Sequence, residues 1–105
     1  MQINEAFLEY ETVRHRLPAV SEIGQCTYLS NLEDLIDKID VFLLDAFGVL
    51  NIGNTAIKGV PERILKLQKI GKRIIVVSNA GGFPHSLLMK KYEDLGYNFD
   101  TEDVI

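Results

Sequence analysis

The sequence lacks several features that mark whole classes of protein. Its 105 residues include one cysteine, Cys26, so no internal disulfide can form and a disulfide-stapled secreted scaffold is excluded. The net charge is −4 and no basic cluster occurs, which argues against binding to nucleic acids or to anionic membranes. No stretch approaches the roughly 20 apolar residues that span a bilayer. The N-terminus has no signal-peptide pattern, so we expect a cytoplasmic protein.

The composition is that of a single ordinary globular domain. Hydrophobic residues make up 47% and charged residues 25% of the chain, which argues against disorder. A chain of this size buries only about 60–70% of its unfolded surface, so the core is expected to be thin.

The first 40 residues predict two helices. Apolar residues at helical spacing over 5–17 predict a helix that Pro18 ends. Ser30, followed three residues later by Glu33, is typical of a capping box and predicts a second, short helix. Its apolar stripe consists of Leu32, Leu35, Ile36 and Ile39.

Strands and helices alternate from residue 41 onward. The apolar runs 41–44 and 73–77 predict strands buried on both faces, as in parallel sheets. Helices are predicted over 60–70 and 84–95, and residues 103–105 begin a third strand. This alternation predicts an α/β fold, a parallel sheet flanked by helices with right-handed crossovers.

Polar residues follow both predicted strands, namely Asp45 and the pair Ser78-Asn79. Because ligands of such sheets bind beyond the carboxyl ends of the strands, we expect these residues to share one crevice. A carboxylate there can act as a nucleophile or metal ligand, although a solvated aspartate that caps a turn is the alternative. The glycine-containing turn after Asn79 can hold phosphate oxygens, or be an ordinary strand-to-helix turn.

Together these stretches resemble the haloacid dehalogenase-like (HAD) hydrolase superfamily, class IIA, the p-nitrophenyl phosphatase-like branch. Residues 41–50 resemble its first motif, an apolar strand ending in Asp-x-Asp-Gly-x-Leu, and residues 74–79 its second, a strand ending in Ser or Thr. The segments 57–62 and 71–73 resemble the class IIA linking helix. The resemblance implies a partial, Rossmann-like HAD core over 37–105, preceded by an N-terminal helical segment, 1–36.

The resemblance also implies a function and a set of site residues. The reaction would be hydrolysis of a phosphate monoester of a small phosphorylated metabolite through an aspartyl-phosphate. Asp45 would be the nucleophile, and Mg²⁺ would be bound by Asp45 and by the backbone carbonyl of Phe47. Ser78, Asn79 and Gly48 would bind the substrate.

Phe47 departs from the family pattern, which has a second aspartate there to protonate the leaving group and activate water. Losing a general acid–base group costs about 10²–10⁴-fold in rate. The alternative is therefore a non-catalytic HAD-like protein that binds phosphate or another ligand, or an interaction module. An aromatic residue here also resembles true haloacid dehalogenases. Dehalogenase-like hydrolysis of a carbon–halogen bond is therefore a third alternative, although those enzymes have a cap between motifs one and two and the 33 residues from Asp45 to Ser78 leave no room for one.

The family's third and fourth motifs, a lysine and an acidic pair, would lie beyond Ile105. We therefore expect an N-terminal fragment of a protein of roughly 250–300 residues. The chain alone should be inactive and should bind Mg²⁺ weakly. The edge of strand 41–44 would lack a partner, so self-association is expected, with the N-terminal helix as a cover. Lys90 and Lys91 are assigned to a solvated helix face.

Overall fold

The computed structural model describes residues 2–105, which form three α-helices and four short strands. In chain order these are α1 (Ile3–Thr12), β1 (Val41–Leu44), β2 (Asn51–Ile52), β3 (Thr55–Ala56), α2 (Val60–Lys69), β4 (Arg73–Val76) and α3 (His85–Asp94). Short 3₁₀ helices cover Arg14–Arg16, Leu32–Leu35 and Thr101–Asp103. No helix within residues 2–105 combines the length and hydropathy needed to cross a bilayer.

The main sheet is parallel, as predicted. β1 pairs with β4 in a register that sets Val41 opposite Arg73 and Leu44 opposite Val76. On the far side of β4, Val76 forms a parallel bridge with Val104, and the Ile105 N–H donates to the Val76 carbonyl at 2.8 Å. The strand order is therefore β1, β4 and then the residues around Val104, which confirms the predicted beginning of a third strand.

The core lies on one side of this sheet. The strands contribute Phe42, Ile74 and Val76 to a buried cluster that also contains Ile64 and Leu67 of α2. Leu88 and Tyr92 of α3 belong to the same cluster. Both helices therefore cover the same face, because right-handed crossovers between successive neighbouring strands place their helices on one side.

The prediction that the strands are buried on both faces is wrong for the described residues. Val41 and Leu43, which alternate with Phe42 along β1, are 46% and 68% exposed. Side chains alternate across a strand, so these two point away from the helix-covered face. An apolar run of this length does not reveal whether the same chain supplies a second layer.

The N-terminal helix is shorter than predicted. α1 ends at Thr12 rather than at Leu17, and the chain tightens into the 3₁₀ helix Arg14–Arg16, a common way for an α-helix to end. No residue of α1 is buried, and Phe7 and Leu8 are 58% and 64% exposed. The expectation that this helix covers the apolar surface is therefore wrong within one chain.

The second predicted helix is a 3₁₀ helix with a different cap. The side chain of Asn31, not Ser30, accepts a hydrogen bond from the Glu33 N–H at 2.8 Å. Leu32, Leu35 and Ile36 pack against the core, whereas Ile39 is exposed. The packed part of the chain thus begins a few residues before the predicted boundary at residue 36.

The hairpin β2–β3 is absent from the sequence prediction. Asn51 pairs with Ala56 and Ile52 with Thr55, around the turn Gly53-Asn54. The Gly-Asn dipeptide is a recognised hairpin signal and could have revealed the turn. Two paired residues on each side are too few to show the alternation that marks a strand.

Candidate active site

A cleft of about 350 Å³ lies at the carboxyl ends of β1 and β4. Asp45, Ser78 and Asn79 all line it, so the structure brings together the two polar stretches that follow the strands. Phe47 also lines the cleft, together with Asn51, Lys91 and Tyr92, which the sequence analysis did not assign to a site.

Asp45 is held at the end of β1 by the turn that follows it. Its Oδ1 accepts a hydrogen bond from the Ala46 N–H at 2.7 Å. The Ala46 carbonyl in turn accepts from the N–H groups of Val49 and Leu50, at 3.1 and 2.7 Å. Within residues 2–105 no hydrogen bond engages Asp45 Oδ2, which leaves one carboxylate oxygen available to a ligand.

Gly48 shapes this turn rather than lining the cleft. Its φ of 82° lies in the left-handed region, which favours glycine. Its N–H donates to the Asn51 carbonyl at 2.8 Å and is therefore already engaged. The Gly48 N–H is therefore not available to a substrate in this structure, and a substrate-binding role for Gly48 stays a prediction.

Phe47 is 70% exposed beside Asp45. Its ring carries no group that could transfer a proton to a leaving group or from a water molecule. No hydrogen bond to its carbonyl oxygen is found within the described chain, so that oxygen stays available as a ligand.

The turn after β4 presents donors to the same cleft. Ser78 Oγ accepts a hydrogen bond from the Ala80 N–H at 3.2 Å, and its hydroxyl group can also donate one. The N–H groups of Asn79 and Gly82 donate to no protein acceptor in residues 2–105. Such free N–H groups in a glycine-containing turn suit an anion.

Tyr92 lines the same cleft and is only 2% exposed. Burial raises the pKa of its phenol, a hydrogen bond with Ser78 opposes that effect, and the charge of Asp45 adds to it. The phenol is therefore neutral at physiological pH. Its position one helical turn after the buried Leu88 is the sequence signal that places it inward.

Asn51 is a further residue that sequence reasoning missed. It is 3% exposed, and its Nδ2 donates to the Gly53 carbonyl at 2.8 Å. That bond fixes the orientation of the amide, and Oδ1 is left buried without a donor in the described structure. An unsatisfied buried acceptor costs about 1–3 kcal/mol, so a donor such as a water or a ligand hydroxyl is expected there.

The fold and the site together define an α/β protein with a parallel sheet, in which a carboxylate and a hydroxyl-bearing turn lie at the same edge of the sheet. The family model of haloacid dehalogenase-like hydrolases matches residues 42–105, which is more than half of the chain. The chain belongs to the haloacid dehalogenase-like hydrolase family, as its sequence motifs indicated.

Named relatives agree with this placement. The chain is 37% identical over 76 residues to phosphoglycolate phosphatase 1A of Arabidopsis thaliana, a chloroplastic protein, covering 72% of this chain and 21% of that one. It is 38% identical over 72 residues to 4-nitrophenylphosphatase of Schizosaccharomyces pombe, covering 69% and 24%. These relatives support the p-nitrophenyl phosphatase-like branch, class IIA. The chain spans only about a quarter or less of their length.

Solved structures show the same fold. A hypothetical protein of Pyrococcus horikoshii superposes with a TM-score of 0.60 at 27% identity, over 64% of this chain and 26% of that one. The 4-nitrophenylphosphatase of Thermotoga maritima also gives a TM-score of 0.60, at 22% identity, over 68% and 27%. The predicted fold, a partial HAD core with a parallel sheet, is confirmed.

Proposed function

We propose that the full-length protein is a phosphatase-type hydrolase that cleaves phosphate monoesters of small metabolites. The observation that carries this proposal is the shared cleft, in which the free Asp45 Oδ2 stands with the donors of Ser78 and Asn79. The phosphatase names of the relatives from Arabidopsis thaliana and Schizosaccharomyces pombe support it.

The proposed reaction has two steps at Asp45. In the first, Oδ2 forms a bond to phosphorus while the bond to the ester oxygen breaks, which gives an aspartyl-phosphate and an alkoxide or phenoxide. In the second, a water oxygen bonds to phosphorus while the bond between phosphorus and Oδ2 breaks, which releases phosphate and restores the carboxylate. The proton that the water loses passes through solvent to the departed alkoxide or phenoxide. Ser78 Oγ–H and the Asn79 N–H would hold the phosphoryl oxygens as negative charge develops.

Phe47 determines which leaving groups the first step can expel. Since Phe47 cannot protonate the departing oxygen, we expect that proton to come from solvent. The rate should therefore fall steeply as the pKa of the leaving alcohol rises, and 4-nitrophenyl phosphate should be a better substrate than an alkyl phosphate. A rate independent of the leaving group would show that another residue supplies the proton.

Magnesium is the cation that the family resemblance implies. The donors present are hard oxygens: the Asp45 carboxylate, the Phe47 carbonyl and, nearby, the unsatisfied Asn51 Oδ1. This donor set fits Mg²⁺ in kind. Within residues 2–105 no group of three or more His, Cys, Asp or Glu side chains could hold a metal, so these residues alone should bind it weakly. Bound there, Mg²⁺ would offset the repulsion between carboxylate and phosphate.

The aspartyl-phosphate provides the direct test. Full-length protein incubated with 4-nitrophenyl phosphate and then reduced with borohydride should carry homoserine at position 45, detected by peptide mass spectrometry. Asp45→Asn should abolish turnover and labelling. Ser78→Ala should lower kcat about 10²-fold, as for other lost oxyanion donors. Full activity in Asp45→Asn would exclude this mechanism.

A non-catalytic, phosphate-binding protein is the second candidate, and Phe47 is the observation that favours it. In that case the cleft binds inorganic phosphate, while 4-nitrophenyl phosphate gives neither 4-nitrophenol nor homoserine. Saturable phosphate binding without product in the full-length protein would decide for this candidate.

Three broader expectations remain proposals. Residues 1–36 and 37–105 would be an N-terminal segment and the HAD core. The single free cysteine, the exposed Cys26, supports a reducing compartment such as the cytoplasm. Self-association is supported by the exposed apolar residues of β1, Val41 and Leu43, and by those of α1.

A further inference from the structure

We propose that His85 is a positioning residue that holds the Ser78-Asn79 turn in place at the cleft, an inference that rests on the proposed function. His85 is the first residue of α3, and its Nε2 lies 2.9 Å from the carbonyl oxygen of Val104, 19 residues further along the chain. A carbonyl oxygen only accepts hydrogen bonds, so Nε2 carries the proton and donates it. This bond joins the end of the turn to the third strand, which begins at Val104.

The third strand also binds the beginning of the turn. The Ile105 N–H donates to the Val76 carbonyl at 2.8 Å, and the Ile105 carbonyl accepts from the Ser78 N–H at 3.2 Å. The chain therefore leaves the third strand at Ser78, runs through the turn and returns to the same strand at His85. The turn is attached at its two ends to neighbouring residues, Ile105 and Val104.

Between these two attachments the turn has few other restraints. Its remaining hydrogen bonds are local and join residues two or three apart. Ala80 packs against the core, whereas Phe83 is 62% exposed. In the part of the chain that the structure describes, the bond from His85 to Val104 is the one hydrogen bond that links residues 79–85 to a strand. Removing it should therefore free the second half of the turn.

The position of the turn matters because it carries the donors proposed to hold the phosphoryl oxygens, Ser78 Oγ–H and the Asn79 N–H. Donors stabilise developing charge best when they are fixed beforehand, since ordering them during the reaction costs conformational entropy. A displacement of about 1 Å can lower a rate about 10²-fold. His85 is not among the residues that line the cleft, so it would act on substrate only through the turn.

The order of the turn tests the inference without requiring turnover. Relaxation of the backbone ¹⁵N nuclei at residues 79–83 is measured by NMR in the full-length protein. In His85→Leu, which removes the donor, the order parameters should fall from the rigid range near about 0.85 to below about 0.6. His85→Gln keeps an N–H donor on a side chain of similar reach and should restore most of the order. His15→Leu, at an exposed histidine of the N-terminal segment, is the matched control and should change nothing.

Kinetics on 4-nitrophenyl phosphate separate positioning from a merely structural role. His85→Leu should lower kcat about tenfold or more with little change in KM, and His85→Gln should recover most of it. Asp103→Ala is the second control, because it removes the bond from Arg73 at 2.6 Å that holds the segment just before the third strand. This variant should lower stability and leave kcat unchanged, since it keeps the bond from His85 to Val104.

The imidazole ring gives a readout in the unaltered protein that no folding defect can imitate. The hydrogen bond to Val104 should slow the exchange of the His85 ring proton with water, so that NMR detects this proton on Nε2. The ring protons of the exposed His15 should exchange too fast to be seen. Absence of the His85 signal, or its assignment to Nδ1, would overturn the inference.

The outcomes separate this inference from the proposed function. A turn as ordered in His85→Leu as in the unaltered protein overturns the role of His85 and leaves the phosphatase proposal standing. Equal losses of kcat in His85→Leu and Asp103→Ala show a general loosening of the third strand and overturn it as well. If the unaltered protein yields neither 4-nitrophenol nor homoserine at position 45, the phosphatase proposal fails, and the order of the turn alone decides the role of His85.

Discussion

Helices α1 and α2 are each ten residues long, but only α2 packs its apolar side against the core. α2 buries Ile64 and Leu67 almost completely, with 1% of each exposed, whereas α1 buries no residue. α2 is tied by short turns to the hairpin before it and to β4 after it, so the chain holds its apolar side against the sheet. α1 is joined to β1 by a long, mostly irregular connection. Apolar spacing produced a helix in both cases, and only connectivity produced burial.

The largest effect on stability is expected in α2, the packed helix of the pair. Leu67→Ala should lower the free energy of unfolding by about 2–5 kcal/mol, because it removes buried methyl groups and leaves a cavity. Phe7→Ala, the matched truncation in α1, should change it by no more than about 0.5 kcal/mol. Urea denaturation followed by circular dichroism measures both. Equal effects would mean that α1 packs on the core in solution.

A second prediction contrasts two tyrosines by pH. The Tyr97 hydroxyl is buried and donates to the Leu50 carbonyl at 2.5 Å. Burial raises its pKa to about 12, with a smaller contribution from Glu62. The unfolded phenol has a pKa near 10, so its stabilising effect is complete below about pH 10 and is lost as the pH rises through 12. The loss should be on the order of 2 kcal/mol.

Two phenylalanine variants isolate that effect. Tyr97→Phe should be less stable at neutral pH, by about 1 kcal/mol for the lost hydrogen bond, and should lack the alkaline decline. Tyr10→Phe, at a position of α1 that is 70% exposed, should keep the alkaline decline of the unaltered chain. An alkaline decline that persists in Tyr97→Phe would assign the titration to another group.

A third prediction concerns the partner that α1 lacks. If the helix packs on a second copy of the chain, replacing both Phe7 and Leu8 by serine should weaken self-association about tenfold or more. The reason is that burying one large apolar side chain contributes about 1.5–3 kcal/mol. Sedimentation equilibrium measures the change, and Glu9→Gln on the same helix is the control. A chain that remains monomeric at micromolar concentration would contradict self-association.

The smallest effect is expected where the N-terminal part meets the core. Glu33 of the 3₁₀ helix pairs with Lys66 at 2.6 Å and with Arg63, and these bonds to α2 lower the pKa of its carboxyl. Because the pairs are exposed to solvent and salt, Glu33→Gln should shift the urea midpoint less than Tyr97→Phe does. A larger shift would show that the ion pairs of Glu33, rather than the apolar packing of Leu32, Leu35 and Ile36, attach the 3₁₀ helix to the core.

Much of the fold followed from local patterns. The runs that became β1 and β4 and the helix of residues 60–69 have strong periodicity and clear end signals, such as Gly71, whose φ of 88° ends α2. The hairpin that begins at Asn51 was missed because its strands are two residues long. The length of α1 was overestimated because apolar spacing continues past Thr12, where the helix itself does not.

The candidate site was predictable only in part. Asp45 and Ser78-Asn79 could be found because they end apolar runs, and the carboxyl ends of parallel strands share one edge. The helical spacing of Tyr92 from Leu88 indicates that it points inward, but its place in the cleft and the unsatisfied amide oxygen of Asn51 depend on contacts between distant segments.

The sequence by itself determined the parallel α/β core, the family and the polar strand ends, because periodicity and motif spacing are local properties. Tertiary structure alone decided which side of each element is buried. In the folded chain the β1 residues Val41 and Leu43 are exposed, and the Gly48 N–H is hydrogen-bonded within its own turn. Lys91 is half-buried, whereas its neighbour Lys90 is exposed. The physical reason is that the burial of a side chain and its hydrogen-bond partners depend on which surfaces the crossover connections bring into contact. A local sequence pattern carries no information about those contacts.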